Sequence, residues 1–227
     1  MVYYFGRANK MNCCCPPQNI NDLDNTFNES RARRDAEDYL KHGLGKRGQQ
    51  LVVALSGRIT SPLSVLDIGC GAGGLHHELL RRGIAGRVIG VDASSAYLRF
   101  AAQNASQLNL SQHVTYVQRD FAQTAGEFAP AGLVTLDRVI CCYPYLEQLL
   151  TAAATHAEQY LALTFPIEGW WLKPPYWLID HLFTLFRSNY HFFLHPRAQV
   201  TAIAAAAGLQ PIYHGRVGFW QLMVFAR

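Results

Sequence analysis

The fold of this chain is decided by residues 64–75, SVLDIGCGAGGL. The apolar residues Val65, Leu66 and Ile68 predict a short buried strand, and four of the next six residues are glycines. Helical spacing resumes at Leu75. A turn with so few Cβ atoms lets a ligand approach the backbone closely, and the amides that open the following helix point toward that ligand. Strand, glycine turn and helix together predict the first unit of a nucleotide-binding βαβ fold.

Two aspartates sharpen this prediction, because a glycine turn alone also fits dinucleotide enzymes. Asp67 lies within the end of the strand, so the motif reads Asp-x-Gly-x-Gly-x-Gly. A second predicted strand, residues 87–91, ends in Asp92, at about the distance where an acidic residue meets a ribose diol. This combination resembles the first two motifs of the class I S-adenosylmethionine (SAM) methyltransferases. A purely structural turn followed by a helix-capping aspartate is the alternative.

The resemblance implies roles for individual side chains. It implies that Asp67 lies near the amino-acid end of the cofactor and that Asp92 binds both ribose hydroxyls. It also implies that Asp120 accepts a hydrogen bond from the adenine amine and that Phe121 packs on the ring. The predicted cofactor-binding residues are Asp67, Gly69, Cys70, Gly71, Gly73, Asp92, Ala93, Asp120, Phe121 and Asp137.

Alternating strand and helix patterns continue along the chain. The last two predicted strands, residues 209–213 and 219–226, form an antiparallel hairpin that the usual dinucleotide fold lacks. We expect an α/β, Rossmann-like class I methyltransferase fold: a seven-stranded, mostly parallel sheet with this C-terminal hairpin and an aromatic-rich helical insertion at 166–195. The expected domains are an N-terminal irregular segment with cap helices, 1–60, and a SAM-binding methyltransferase domain, 61–227.

The layout is similar, more narrowly, to that of the magnesium-protoporphyrin O-methyltransferases. This similarity is carried by LDRVI at 136–140 leading to Tyr143-Pro144, by LTFP at 163–166 before an aromatic helix, and by His195-Pro196 before the helix that ends at Gly208. It implies a related methyltransferase, with a porphyrin as one alternative acceptor. The cysteine runs, Cys13-Cys14-Cys15 and Cys141-Cys142, depart from that family's pattern.

The loop after the fourth predicted strand should face the transferred methyl group, since ligands collect at the carboxyl ends of such strands. Arg138 could bind a substrate carboxylate, or pair instead with Asp137 or Asp120. His195 is the candidate general base for a phenolic acceptor. The predicted catalytic residues are therefore Arg138 and His195.

The predicted substrate-binding residues are Tyr39, Arg138, Tyr143, Trp170 and Trp171. Tyr39 is either a lid residue or a core aromatic. The tryptophans of the insertion suit an apolar or ring-containing acceptor; the alternatives are a packed subdomain and an interfacial membrane helix. His76 and His77 follow the glycine turn, where one of them could touch the cofactor or both could lie on the helix surface.

Composition narrows the class of protein. With 20 basic and 16 acidic residues the net charge is +4 without a long basic run, which argues against a nucleic-acid partner. No apolar run is long enough to span a membrane, and the first residues lack the apolar core of a signal peptide, so we expect a cytoplasmic enzyme.

Five of the six cysteines stand in two adjacent runs and Cys70 stands alone; there is no Cys-x-x-Cys pair, so no metal site is expected. Cys141-Cys142 are interpreted as packed thiols. The run Cys13-Cys14-Cys15 could hold a soft ion or be modified, or it could be a loose segment with reactive thiols.

These observations predict a SAM-dependent methyltransferase that transfers the methyl group directly to a small acceptor, mainly by aligning the two reactants. An NAD-dependent oxidoreductase and a non-catalytic SAM-binding protein are the alternatives from other classes. The sequence leaves the acceptor atom and the oligomeric state open.

Overall fold

The structure is a computed structural model that describes residues 28–168 and 193–227. Seven strands form one sheet. The strands are β1 (Leu63–Ile68), β2 (Ala85–Asp92), β3 (Val114–Gln118), β4 (Ala131–Asp137), β5 (Ala157–Pro166), β6 (Gln210–Val217) and β7 (Trp220–Ala226). The α-helices within the described ranges are α1 (Glu29–His42), α2 (Lys46–Ser56), α3 (Gly74–Arg81), α4 (Ser95–Gln107), α5 (Phe121–Thr124), α6 (Leu146–His156) and α7 (Arg197–Ala206).

The sheet has the strand order β3-β2-β1-β4-β5-β7-β6. Strands β1 to β5 run parallel, and β7 is antiparallel to both β5 and β6. This order confirms the predicted mostly parallel sheet with its C-terminal hairpin. The chain reverses direction across the sheet between β1 and β4, so the loops after these strands open a crevice at the carboxyl edge, where ligands bind in such folds.

Burial on both faces explains the central strands. Val65, Leu66 and Ile68 in β1, with Leu133 and Leu136 in β4, are at most 2 % exposed. Such continuous apolar runs suit parallel strands that are covered by helices on both sides. One face packs on α6 and α7, and the other packs on α2 and α3. The carboxyl edge is thereby held as a rigid platform.

Helix α1 packs against α4 through small side chains. Asn28 caps its first turn by accepting from the backbone N–H of Arg31, and the helix ends before Gly43, whose φ is 71°. Ala32 and Ala36 are buried against α4, which lets the two helix backbones approach closely. The side of α1 next to this contact therefore lies over the carboxyl edge of the sheet.

Some predictions fall on residues outside the described ranges. They include Trp170 and Trp171, most of the insertion at 166–195, and the run Cys13-Cys14-Cys15. The division at residues 60 and 61 stays a prediction. In the described part of the chain, no helix combines the length and the apolar character that a transmembrane span requires.

Candidate cofactor and acceptor site

A cavity of about 300 Å³ lies at the carboxyl edge of the parallel strands. Its walls come from the loops after β1, β2, β3 and β4, from helix α1 and from Trp220 at the start of β7. Of the predicted cofactor residues, those that line it are Gly69, Gly71, Asp92, Ala93, Asp120, Phe121 and Asp137. The fold thus brings together most of a set that is spread over about 70 residues of sequence.

The turn after β1 requires glycine for a specific steric reason. Gly69 has a φ of 63°, and a Cβ there would lie 2.6 Å from Cγ2 of Val139. Gly73 has a φ of 86°, and a Cβ there would lie 2.3 Å from the His77 ring. The turn therefore lets the β4 loop approach closely on one side and the histidine on the other. Cys70 is buried, and its side chain does not line the cavity in the described part of the chain.

Asp92 holds the glycine turn to the end of β2. Its Oδ2 accepts from the Gly71 N–H at 2.8 Å, and its Oδ1 accepts from the Ser94 N–H at 2.9 Å. Burial raises the pKa of Asp92 to about 6, against the lowering effect of these backbone donors. Each carboxylate oxygen keeps a further acceptor site, since an ionised carboxylate has about four.

Asp120 and Phe121 form the corner after β3. Asp120 caps α5 by accepting from the Ala122 N–H at 3.1 Å, and it also accepts from Gln123 Nε2 at 2.7 Å. The Tyr143 hydroxyl donates to Asp120 at 3.1 Å. Tyr143 was predicted to bind the acceptor; it lines the cavity, and its hydroxyl is tied to the predicted adenine corner, so its role toward the acceptor stays a prediction.

Asp67 lies in a buried polar network behind the glycine turn. It is 2 % exposed and accepts from the Thr135 hydroxyl at 2.5 Å. Its other oxygen lies 2.7 Å from His76 Nδ1, and both His76 and His77 lie within reach of the Tyr116 hydroxyl. Neither histidine lies on the helix surface, since both are 0 % exposed. Burial lowers the pKa of His77 to about 2, so its ring is neutral.

The network changes the interpretation of Asp67. Among the described residues it does not line the cavity, because its oxygens face Thr135 and His76 inside the core. That Asp67 lies near the amino-acid end of the cofactor stays a prediction, and its carboxylate would act there through the turn and not by lining the cavity. Asp67 supports the turn from behind, while the backbone of Gly69 and Gly71 faces the cavity.

The loop after β4 is held by an arginine that the sequence did not single out. Arg47 of α2 donates through Nε and Nη2 to the two Asp137 oxygens at 2.8 and 2.9 Å. The Thr164 hydroxyl also donates to Asp137 and accepts from the Arg138 N–H. Burial opposes ionisation of Asp137, but the hydrogen bonds and charge of Arg47 outweigh it and lower the pKa of Asp137. Nothing in the local sequence around Arg47 signals this pairing.

Arg138 has an unusual backbone and an exposed side chain at the cavity. Its φ is 64°, in the left-handed region, and its N–H is fixed by Thr164. Within the described residues its guanidinium makes no hydrogen bond or ion pair, although it lies in the field of Asp137 and Asp35. The predicted partners of Arg138 were a substrate carboxylate, Asp137 and Asp120. Of these, Asp137 is paired with Arg47, and Asp120 is bound to Tyr143 and Gln123.

Helix α1 contributes two cavity residues that sequence reasoning missed. They are Arg31 and Asp35, and Asp35 accepts from the Tyr97 hydroxyl at 2.6 Å. Their one-turn spacing on α1 was the signal that could have found them. Tyr39, predicted as either a lid residue or a core aromatic, is buried, and its ring packs on Gly74 and lies 5.9 Å from that of His77. Its burial fits the core-aromatic alternative.

His195 is not placed as a general base. It is 1 % exposed and absent from the cavity wall that the described residues form. Its Nε2 lies 2.8 Å from the Ile140 carbonyl oxygen, which identifies Nε2 as the protonated nitrogen. Burial lowers its pKa. Together with the Phe193 N–H, which donates to the Cys141 carbonyl at 2.8 Å, His195 ties the returning chain to the β4 loop.

Similarity to known proteins indicates which reaction this cavity serves. The family model described as a methyltransferase domain matches residues 65–162, which include the glycine turn, Asp92, Asp120 and the β4 loop. Residues 65–162 carry a methyltransferase domain. This finding confirms the predicted enzyme, a SAM-dependent methyltransferase, and its cofactor.

Solved structures with this methyltransferase's fold include magnesium protoporphyrin IX methyltransferase from Synechocystis PCC 6803. Its structure with SAH (the demethylated cofactor) bound matches this chain with a TM-score of 0.70 and a sequence identity of 20%. The match covers 92% of this chain and 100% of that chain. Its structure with SAM bound matches with a TM-score of 0.70 and a sequence identity of 21%, and this match covers 94% of this chain and 99% of that chain. These likenesses confirm the fold of the domain.

A third similar structure is an O-methyltransferase family protein from Burkholderia thailandensis, with a TM-score of 0.68 and 17% identity, covering 87% of this methyltransferase and 59% of that chain. None of the curated proteins compared with the chain matches it. Several kinds of methyltransferase therefore share this fold, so the fold alone does not identify the acceptor.

Proposed function

We propose that this methyltransferase acts on a small molecule that combines a carboxylate with an apolar or aromatic body. The observation that carries the proposal is Arg138: an arginine with left-handed backbone whose guanidinium stands at the cavity without a hydrogen bond or ion pair to any described residue. A left-handed backbone costs a non-glycine residue about 1–3 kcal/mol, and such residues cluster at functional sites.

The cavity residues fit SAM at three points. Gly69 and Gly71 leave their backbone uncovered, so the cofactor can lie against the turn. Asp92 keeps acceptor sites for two ribose hydroxyls after accepting from Gly71 and Ser94. Asp120 and Phe121 offer a carboxylate and a ring at the adenine corner.

A carboxylate is the group that Arg138 suits best. A guanidinium presents two parallel N–H donors to the two oxygens of a carboxylate. The neighbouring carboxylate Asp137 is already neutralised by Arg47, so the cation of Arg138 remains available. Apolar side chains beside it, Val139 and Trp220, provide contact area for the body of the acceptor. The predicted contribution of Trp170 and Trp171 to this surface remains part of the proposal.

The mechanism needs alignment more than proton transfer. SAM, when bound, supplies an electrophilic methyl group. Arg138 would fix the acceptor, and the apolar wall would exclude water, so that proximity accounts for much of the rate. Because His195 is turned to Ile140, the described cavity wall offers no histidine as a general base. This favours an acceptor atom that is already nucleophilic at neutral pH, such as a carboxylate oxygen.

The test is SAH release from SAM with a panel of ring-bearing carboxylic acids, each paired with its amide. We expect turnover of acids and not of amides. Arg138→Gln should abolish it while leaving SAH affinity within about threefold, which is under 1 kcal/mol; Arg138→Lys should restore part of it. Arg87→Gln, on the exposed amino-terminal part of β2, is the matched control. Equal turnover of acids and amides would contradict the proposal, and tight SAH binding without turnover of any acid would favour the non-catalytic alternative.

A second candidate is a carboxyl O-methyltransferase of a magnesium porphyrin. It is favoured by the structural likeness to magnesium protoporphyrin IX methyltransferase over nearly the full length of both chains. The panel should therefore contain magnesium protoporphyrin IX and the corresponding ester. Turnover of the porphyrin with no turnover of smaller acids would select this candidate.

A further inference from the structure

A buried set of polar side chains behind the glycine turn has no part in the reaction proposed above. His76 of α3 donates through Nδ1 to one oxygen of Asp67 at 2.7 Å, and both side chains are at most 2 % exposed. The other oxygen of Asp67 accepts from the Thr135 hydroxyl, and His76 Nε2 faces the Tyr116 hydroxyl of β3. Buried polar groups cost free energy unless they are hydrogen-bonded, and here each carboxylate oxygen and each ring nitrogen has a partner.

The hydrogen bond between Asp67 and His76 closes the glycine turn at its base. Asp67 is the last residue but one of β1, and His76 lies in the first turn of the helix that follows the glycines. The turn between them presents the Gly71 backbone to the cavity. On the cavity side, the Gly71 N–H donates to Asp92. The turn is therefore tied from the core through His76 and from the cavity through Asp92.

The composition of the turn explains why a tie from the core matters. Four of the six residues from 69 to 74 are glycines, and Gly69, Gly71 and Gly73 have φ values of 63°, 53° and 86°. Glycine has the most conformational freedom to lose when a backbone becomes ordered. If the turn is already held in the conformation that the cofactor needs, binding does not have to order it, and the affinity is higher.

Tyr116 sets the orientation of the His76 ring. Its hydroxyl lies 3.1 Å from His76 Nε2, 2.8 Å from His77 Nε2 and 3.1 Å from the carbonyl oxygen of Ala101 in α4. An imidazole with a partner at each nitrogen has one favoured orientation, and here Nδ1 then points at Asp67. We propose that His76, oriented by Tyr116, is a positioning residue of the SAM site: it holds the Asp67 carboxylate and thereby keeps the glycine turn in its binding conformation.

The experiment compares two amides at position 76 of the full-length chain by isothermal titration calorimetry with SAH. The side-chain nitrogen of asparagine can take the place of Nδ1, whereas that of glutamine reaches the place of Nε2. His76→Asn should therefore keep the bond to Asp67 and keep SAH affinity within about twofold. His76→Gln should lower the affinity about tenfold, or about 1.4 kcal/mol, which matches the entropy of ordering about one backbone residue. SAH binding needs no acceptor, so the result is independent of the acceptor proposed above.

Tyr116→Phe is the milder second variant, because it removes one hydroxyl and keeps the ring. It should lower SAH affinity about fivefold, and it decides the matter alone if His76→Gln does not fold. His113→Gln, at an exposed histidine before β3, is the matched control and should leave the affinity unchanged.

The free energy of unfolding of each variant is measured in urea, because a merely structural histidine would affect stability and leave the affinity of the folded protein unchanged. Lower affinity in folded His76→Gln with near-normal affinity in folded His76→Asn supports the positioning role. Equal SAH affinity in these two folded variants, or unchanged affinity in folded Tyr116→Phe, overturns the proposal.

Discussion

The two halves of the cavity are built in different ways. The cofactor half comprises residues 69–73, Asp92 and residues 120–121, and its carboxylates accept from backbone N–H groups of the glycine turn and of residues two positions further along the chain. The acceptor half comprises residues 137–142 with Arg47; it includes Asp137, a predicted cofactor residue whose carboxylate is bound by Arg47 and Thr164. Its carboxylate, Asp137, is held by a charged side chain 90 positions away in the sequence.

This difference separates two kinds of recognition. Hydrogen bonds from backbone N–H groups require only that a turn has the right conformation. The cofactor half is therefore determined by the succession of strands along the chain and the glycines between them. The acceptor half depends on side chains from distant helices, and changes there can alter acceptor choice without altering the cofactor contacts. The comparison predicts that variants of one half leave the other half largely intact.

The largest effect is expected for Asp92→Ala. Two charge-assisted hydrogen bonds to the ribose, each contributing about 1.5 kcal/mol or more, would be lost, so SAH affinity should fall roughly a hundredfold. Isothermal titration calorimetry measures it, with Asp38→Ala on the exposed face of α1 as control. Unchanged affinity in a folded variant would mean that Asp92 only holds the Gly71 and Ser94 amides.

Removing Arg47 should damage the acceptor half alone. Arg47→Met leaves the Asp137 carboxylate without its cation; the two side chains are 20% and 15% exposed, so we expect a loss of about 2 kcal/mol of unfolding free energy, less than for a fully buried pair. Urea unfolding measures it. SAH affinity should stay within about threefold, and Arg47→Lys should restore part of the stability.

The pH dependence of that loss has a definite sign. Because the folded-state pKa of Asp137 is lowered, its stabilisation is present above the unfolded pKa and disappears as the pH falls through the folded pKa. The stability difference between the wild type and Arg47→Met should therefore shrink in acid. A collapse of SAH binding with unchanged stability would show that the two halves are not separable.

Acidification should weaken the cofactor half. The pKa of Asp92 is raised to about 6, so its carboxylate becomes protonated below that pH in the free protein. Ribose hydroxyls donate better to the ionised form, so SAH affinity should fall about tenfold between pH 7 and pH 5. Asp92→Asn should abolish this dependence. The stability of the free protein should change with pH in the opposite direction. A raised carboxyl pKa favours the folded state at low pH, and this contribution to the free energy of unfolding is lost as the pH rises through 6.

The smallest effect is expected for Arg138→Gly. Glycine adopts a φ of 64° without the cost of about 1–2 kcal/mol that other residues bear, but it gains freedom in the unfolded chain. The unfolding free energy should rise by up to about 1 kcal/mol, while turnover of carboxylate acceptors is lost. Arg138→Ala, which keeps the strain, should lose turnover without gaining stability. Equal stability of the two variants would argue against backbone strain at this position.

The sequence by itself determined the alternation of strands and helices along the chain, the hairpin and the glycine turn, because these follow from local periodicity and from backbone geometry within a few residues. Asp92, the last residue of β2, could be predicted because it lies at the carboxyl end of a parallel strand, and the same holds for Asp120 and Phe121, which lie within three residues of the end of β3. The tertiary structure decided the partners of the polar side chains. Arg47 binds Asp137, His76 binds Asp67, and His195 binds the Ile140 carbonyl. These partners are 90, 9 and 55 positions apart, and only the packing of helices on the sheet brings their donors and acceptors within hydrogen-bond distance.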